Sequence, residues 1–280
     1  MVKIITDSAA DYTAEELKQK DIICIPMGVA FGEKDYRIGV NLTNEEFYEL
    51  LETESEFPKT AQPPIFEIEK TFKEIKESGD ECVAITISSE LSGTYQSFFI
   101  TKDMTEFDNC YVIDSQNATA GQKLLVDLAV KLRDEGRTAE EIADKLNEVK
   151  EKIVVLACID TLEYLYKGGR LSKAAYAVGS AVNLKPIIAV TKEGKVEASA
   201  KTLSIRRGMK TLMEEFGKNP PDTEYPIYTV YSYDRKNTDI LADKIREMGY
   251  EIDEENVVSL GPAIGAHIGK YACGYIYVEK

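Results

Sequence analysis

The sequence predicts an α/β protein of two domains. Residues 1–160 form an N-terminal three-layer α/β/α domain with a mostly parallel sheet. Residues 161–280 form a C-terminal α/β domain with a mixed sheet. Three observations carry this prediction. Short β-branched apolar runs alternate with amphipathic helical patterns throughout the first half, the signature of βαβ units. Those runs are apolar at successive positions, as in strands covered on both faces. In the second half, Pro186–Thr191 and Val196–Lys201 flank Lys192-Glu-Gly-Lys195, whose glycine sits where a hairpin turn wants one.

Lys3–Thr6, Ile22–Val29, Cys82–Ile87, Tyr111–Ile113 and Ile153–Ile159 read as strands. Helices lie between them, and three have explicit start signals. Thr13-x-x-Glu16, Thr43-x-x-Glu46 and Thr138-x-x-Glu141 have the form of a capping box, in which side chain and backbone satisfy each other's free groups. Behind Thr138, Ile142, Leu146 and Val149 fall on one helical face. In the second half, Ile205–Phe216 and Asn237–Met248 read as helices. Ile227–Tyr231, Val257–Leu260 and Gly274–Val278 read as strands. The change of domain is placed near residues 160–170.

Lys and Arg number 34 against 49 Asp and Glu, a net charge of −15. That surplus repels nucleic acid phosphates and an anionic bilayer. The longest apolar candidate, Ile153–Ile159, is the size of a strand, far short of the ~20 residues a membrane helix needs. The opening MVKIITDSAAD lacks the apolar stretch of a signal peptide, so a cytoplasmic location without membrane insertion is expected. The five cysteines are odd in number, dispersed and without a CxxC pair. They read as reduced, buried thiols rather than zinc or redox ligands. Asp7, Asp11, Asp114 and Asp160 stand near strand ends but lack clustered spacing, so no metal or cofactor is expected.

Four segments carry chemistry. In Ile85-Thr-Ile-Ser-Ser-Glu-Leu-Ser-Gly-Thr-Tyr-Gln-Ser97 a buried strand ends and a helix begins near Ser92. A helix N-terminus offers free N–H groups to an anion, Ser92 adds a hydroxyl, and Gly93 lets a ligand reach the backbone; Ser92 as a plain helix cap is the competing reading. In Lys59-Thr-Ala-Gln-Pro-Pro64 a proline-bounded turn presents Thr60 and Gln62, or simply leads into the helix at Ile65–Ser78. Leu260-Gly-Pro-Ala-Ile-Gly-Ala-His-Ile-Gly269 holds His267, the one histidine of the chain, so any imidazole chemistry must use it. Tyr166-Lys-Gly-Gly-Arg-Leu-Ser172 is a basic, glycine-hinged loop suited to a phosphate or an acidic partner, or a solvated turn before a helix after Ser172.

Taken in order, these segments resemble the DegV family. The resemblance rests on Thr6-Asp-Ser-Ala-Ala-Asp11, Thr60-x-Gln-Pro, Ser88-Ser-x-Leu-Ser-Gly-Thr-Tyr-Gln-Ser97, Val112-Ile-Asp-Ser115, Lys167-Gly-Gly-Arg170 and Gly261-Pro-x-x-Gly-x-His267. It implies a protein without turnover of its own that binds one long-chain fatty acid between its domains. Thr60 and Ser92 would hold the carboxylate and His267 would lie near it, with Gln62 and Gly93 expected beside them as ligand-binding residues. The resemblance further implies presentation of the acid to a separate fatty acid kinase, with Arg170 on an outer docking face. Ala61 and Pro64 stand where the family often has hydroxyls, and Gly269-Lys-Tyr-Ala replaces its Gly-Pro-Gly continuation. The alternatives are a serine hydrolase using Ser92 and His267, and a carrier of another small anionic ligand.

Overall fold

A computed structural model describes residues 1–173, 176 and 184–280. The helix expected after Ser172 lies largely outside them. Among the described residues, β1 (Val2–Asp7), β2 (Ile22–Ile25), β6 (Glu81–Thr86) and β7 (Cys110–Asp114) form a fully parallel sheet in the order β2-β1-β6-β7. Its strands alternate as a sheet buried on both faces must. Ile4, Val83 and Ile85 face α5 (Thr119–Asp134) and α6 (Ala139–Lys150). Ile5, Cys82 and Ala84 face α3 (Ile65–Ser78) and α4 (Thr94–Met104). The expected three-layer α/β/α arrangement is therefore present. The three threonine capping boxes also form, at α1 (Ala14–Gln19), α2 (Asn44–Thr53) and α6.

The second sheet is mixed, in the order β10-β9-β8-β13-β11-β12. It contains the expected hairpin of β9 (Lys185–Val190) and β10 (Val196–Thr202), with β11 (Tyr228–Tyr231), β12 (Val257–Ser259) and β13 (Cys273–Val278). Leu212 and Phe216 of α8 (Ile205–Phe216) and Leu241 and Ile245 of α9 (Lys236–Glu247) cover one face together with Tyr275 and Tyr277. The other face, carrying Ala157, Ile188, Val230 and Ile276, packs toward α5 of the first layer system.

Two strand expectations are corrected. Ile22–Val29 is not one strand: Pro26 has no N–H to donate, so the parallel ladder ends at Ile25. The chain resumes as β3 (Gly28–Phe31), which pairs antiparallel with β4 (Lys34–Arg37) and β5 (Lys59–Ala61) in a small third sheet. Second, β8 (Ile153–Cys158) pairs antiparallel with β13 and β9. The change of sheet thus falls before Ile153, not near 160–170. A buried run of apolar residues reads the same whichever sheet receives it, which is why the sequence pattern misplaced it.

Candidate functional site

The site begins where the parallel strands end. The buried Asp7 carboxylate accepts from the backbone N–H of Ile87 at 2.8 Å and of Ala9 at 2.9 Å, tying the end of β1 to the turn after β6. Ser88 N–H donates to Asn117 O at 2.8 Å, and the Ser88 hydroxyl donates to Gly194 O at 2.9 Å. The second of these bonds fastens the turn to the β9–β10 hairpin of the other sheet. Ser92 is therefore held between the two sheets. Its hydroxyl shares a 2.8 Å hydrogen bond with the buried Thr94 hydroxyl, while the N-cap of α4 is Gly93. The Ser92 hydroxyl also accepts from the Thr94 N–H at 3.3 Å, so it serves the first turn of α4 from the residue before the N-cap.

Thr60 lies on β5, opposite Val29 of β3. Its hydroxyl is 2.9 Å from His267 Nε2, near the end of α10 (Pro262–Ile268). Burial, helped by the charge of Arg170, lowers the pKa of His267 from 6.5 to about 4. The ring is neutral at pH 7 and carries one N–H. With that proton on Nε2, the imidazole donates to Thr60 and leaves the Thr60 hydroxyl hydrogen to point outward. Nδ1, which has no partner among the described residues, then turns its lone pair toward the Arg170 charge, the favourable polarity.

Thr60, Ser92, His267 and Arg170 line one cavity. Apart from Thr119, the rest of its wall is apolar: Met27, Ile87 and Leu91 from the first side, and Val155, Ile188 and Ile276 from the second sheet. Polar groups gathered at one end of an apolar cavity suit an amphiphile with an anionic head. Of the residues expected at the site, Thr60, Ser92 and His267 come together. Gln62 and Gly93 are exposed and are not among the lining residues; the Gln62 amide instead donates to Ser97 Oγ at 2.8 Å.

Arg170 differs from expectation as well. It is half-buried in the cavity wall rather than on an outer face, with Nε donating to Leu91 O at 2.9 Å and Nη1 to Gly168 O at 2.5 Å. The sequence pattern had shown a basic loop with glycine hinges, but not the direction in which it folds. The hydrolase arrangement does not assemble. Among the described residues no hydrogen bond joins Ser92 to His267, and no carboxylate orients the imidazole. A Ser–His–acid relay needs both.

The four aspartates are otherwise engaged. Asp7 serves the backbone as above, Asp114 accepts from the N–H groups of Ser89 and Gln116, and Asp160 pairs with Lys185. Asp11 accepts from Gly261 N–H at 3.0 Å, just before α10. Burial raises its pKa from 3.8 to about 7, and Asp7 adds to this. A carboxyl raised in the folded state contributes stability below its unfolded pKa and loses it as pH rises through the folded one. Asp11→Asn keeps the acceptor for Gly261 and removes the charge. Its stability relative to the parent should therefore rise by ~2–3 kcal/mol between pH 5 and pH 8. Chemical denaturation at both pH values measures this, and a flat difference contradicts the assignment. His267 has the opposite sign, losing stability as pH falls from 6.5 toward 4, and is common to both proteins, so it cancels.

Comparison with known proteins agrees with this architecture. The family described as "Uncharacterised protein, DegV family" matches residues 1–280. The chain belongs to the DegV family. A DegV domain-containing protein of Clostridium perfringens is 34% identical to this DegV chain over 284 residues, covering 100% of it and 99% of the relative. Two solved structures share the DegV fold closely. A stearic acid-binding protein from Eubacterium ventriosum superposes with a TM-score of 0.86 at 28% identity, covering 100% of this chain and 99% of that one. A fatty acid binding DegV family protein from Streptococcus agalactiae gives 0.89 at 26% identity, with the same coverage. Among the described residues of the DegV chain, no helix is long and apolar enough to cross a membrane.

Proposed function

We propose that this protein binds one long-chain fatty acid, with its carboxylate at Thr60 and Ser92 and its tail in the apolar cavity between the sheets. The observation that carries the reading is the one cavity in which Thr60, Ser92, His267 and Arg170 meet a wall that is apolar but for Thr119. A carboxylate leaving water needs several donors. The two hydroxyls supply neutral ones, and Arg170 adds positive charge, which roughly doubles the strength of such bonds. The neutral His267 holds Thr60 in its donating orientation. The stearic acid named for one solved relative and the fatty acid binding named for the other fit the same reading. No turnover is assigned to the protein itself, and a cytoplasmic location goes with this role.

A finer reading follows from the family resemblance: the bound acid is presented to a separate fatty acid kinase. Exposed Gln62 and Gly93 border the headgroup turns, which supports an approach to the carboxylate from that side. Arg170 then positions Leu91 and the carboxylate rather than forming the outer docking face by itself.

Titration of the delipidated protein with stearic acid tests the site. One equivalent should bind. Ser92→Ala should weaken that binding by ~1–3 kcal/mol, because a buried anion loses a donor. Unchanged affinity would place the headgroup elsewhere.

A further inference from the structure

The cavity wall holds one polar atom that the headgroup does not use. Thr119, at the first turn of α5, lines the cavity and is 7% exposed. Apart from the Asp11 carboxyl that it faces, its hydroxyl has no hydrogen-bond partner among the described residues. Behind it stands Asp11, whose carboxyl Thr119 faces and whose Oδ2 is likewise unpartnered. A valine would fill the same space without burying an unmatched hydroxyl, which is a costly group to leave unpaired. The backbone adds to this cost, since Thr119 is a β-branched residue at φ 49°, a conformation such residues rarely adopt and that tends to mark ligand sites.

Its place along the cavity follows from α10. Asp11 accepts from Gly261, immediately before that helix, and His267 lies six residues further on. At the α-helical rise the separation is about 9 Å along the axis. Leu260, which also lines the cavity, belongs to the Gly261 end, and Ile264 stands midway. An acid held at Thr60 and Ser92 therefore brings its chain, not its head, past Thr119.

We propose that Thr119, backed by Asp11, is a second polar subsite that receives a hydroxyl carried part-way along the acyl chain, so that the cavity takes hydroxylated long-chain fatty acids. The subsite rests on the fatty acid reading given above. The Thr119 hydroxyl can donate to or accept from a ligand hydroxyl, and the Asp11 carboxyl behind it takes whichever role is left. Burial keeps the Asp11 carboxyl largely protonated below pH 7, so it can donate as well as accept.

The test is a titration of the full chain with stearic acid and with a positional series of hydroxystearic acids. One mid-chain position should bind about tenfold more tightly than its neighbours in the series. Thr119→Val should bring that position down to the level of the others, read as the ratio of each hydroxystearic acid to stearic acid in the same variant, and Thr119→Ser should retain the preference. No positional preference in the unmodified protein overturns the proposal without any variant being needed. An equal preference in Thr119→Val overturns it also. Failure to bind stearic acid at all would instead overturn the fatty acid reading, so the two are separable.

Discussion

Gly168→Ala is expected to yield a folded protein with little or no fatty acid binding. A Cβ at residue 168 would sit well inside van der Waals contact of His267 Nδ1 and 3.0 Å from Tyr164 O. The carbonyl belongs to backbone and cannot move, so the imidazole must. Moving it breaks the 2.9 Å contact with Thr60, and Thr60 loses the partner that fixes its hydroxyl. It also disturbs Arg170, which donates to Gly168 O. Loss of both the oriented hydroxyl and the placed guanidinium should weaken stearic acid binding by ~3 kcal/mol or more, since each charge-assisted bond is worth about 1.5–3. The adjacent Gly169→Ala is the control. Residue 169 has φ 75° and nothing near its missing Cβ, so alanine there costs about 1 kcal/mol of stability and leaves the ring in place. Calorimetric titration of both variants separates crowding of the imidazole from a general weakening of the loop. Equal binding in Gly168→Ala and the parent would remove His267 from the site.

The second large effect is on stability. Gly274 lies in β13, the strand between β8 and β11 in the second sheet, opposite Ala157 of β8. A Cβ there would meet Leu156 O at 2.5 Å and Ala157 Cβ at 2.6 Å. Both belong to β8, which is hydrogen-bonded to β13 on one side and β9 on the other, so neither can give way cheaply. Gly274→Val should cost ~3 kcal/mol or more, the upper end of core overpacking, read as a fall in the denaturation midpoint. Ala157 also lines the cavity, so whatever protein remains folded should bind stearic acid poorly. A variant as stable as the parent would mean that the β8–β13 spacing is wrong.

What the sequence disclosed and what it hid divide along physical lines. The three threonine caps were legible because a capping box is local: four residues contain donor, acceptor and spacing. The alternating faces of β1 and β6 were legible for the same reason. The fate of β8 was not, since Ile153–Cys158 is apolar throughout and nothing in it names its partners. The small sheet of β3, β4 and β5 was missed because Lys34–Arg37 is polar and Lys59–Ala61 is three residues long. Pro26 was the available signal for its start.

At the site, Thr60, Ser92 and His267 were found through family motifs, and composition alone would have left Ser92 as a helix cap. Gln62 and Gly93 belonged to the right turns but face outward. Arg170 was noticed for its charge, while its direction depends on Leu91 O and Gly168 O, which no local pattern reveals. Thr119 and Asp11 gave no signal beyond a threonine after Asn117-Ala118 and an aspartate near a strand end. Their meaning arises only when α5, β1 and α10 meet.

The central claim, one long-chain fatty acid held by Thr60 and Ser92 between the two sheets, is tested most directly by native mass spectrometry of the protein as purified. The spectrum should show the chain with a single added fatty acid mass that is lost from a Thr60→Ala/Ser92→Ala double variant. A protein that carries no fatty acid, and takes up none when stearic acid is added after delipidation, would contradict the account.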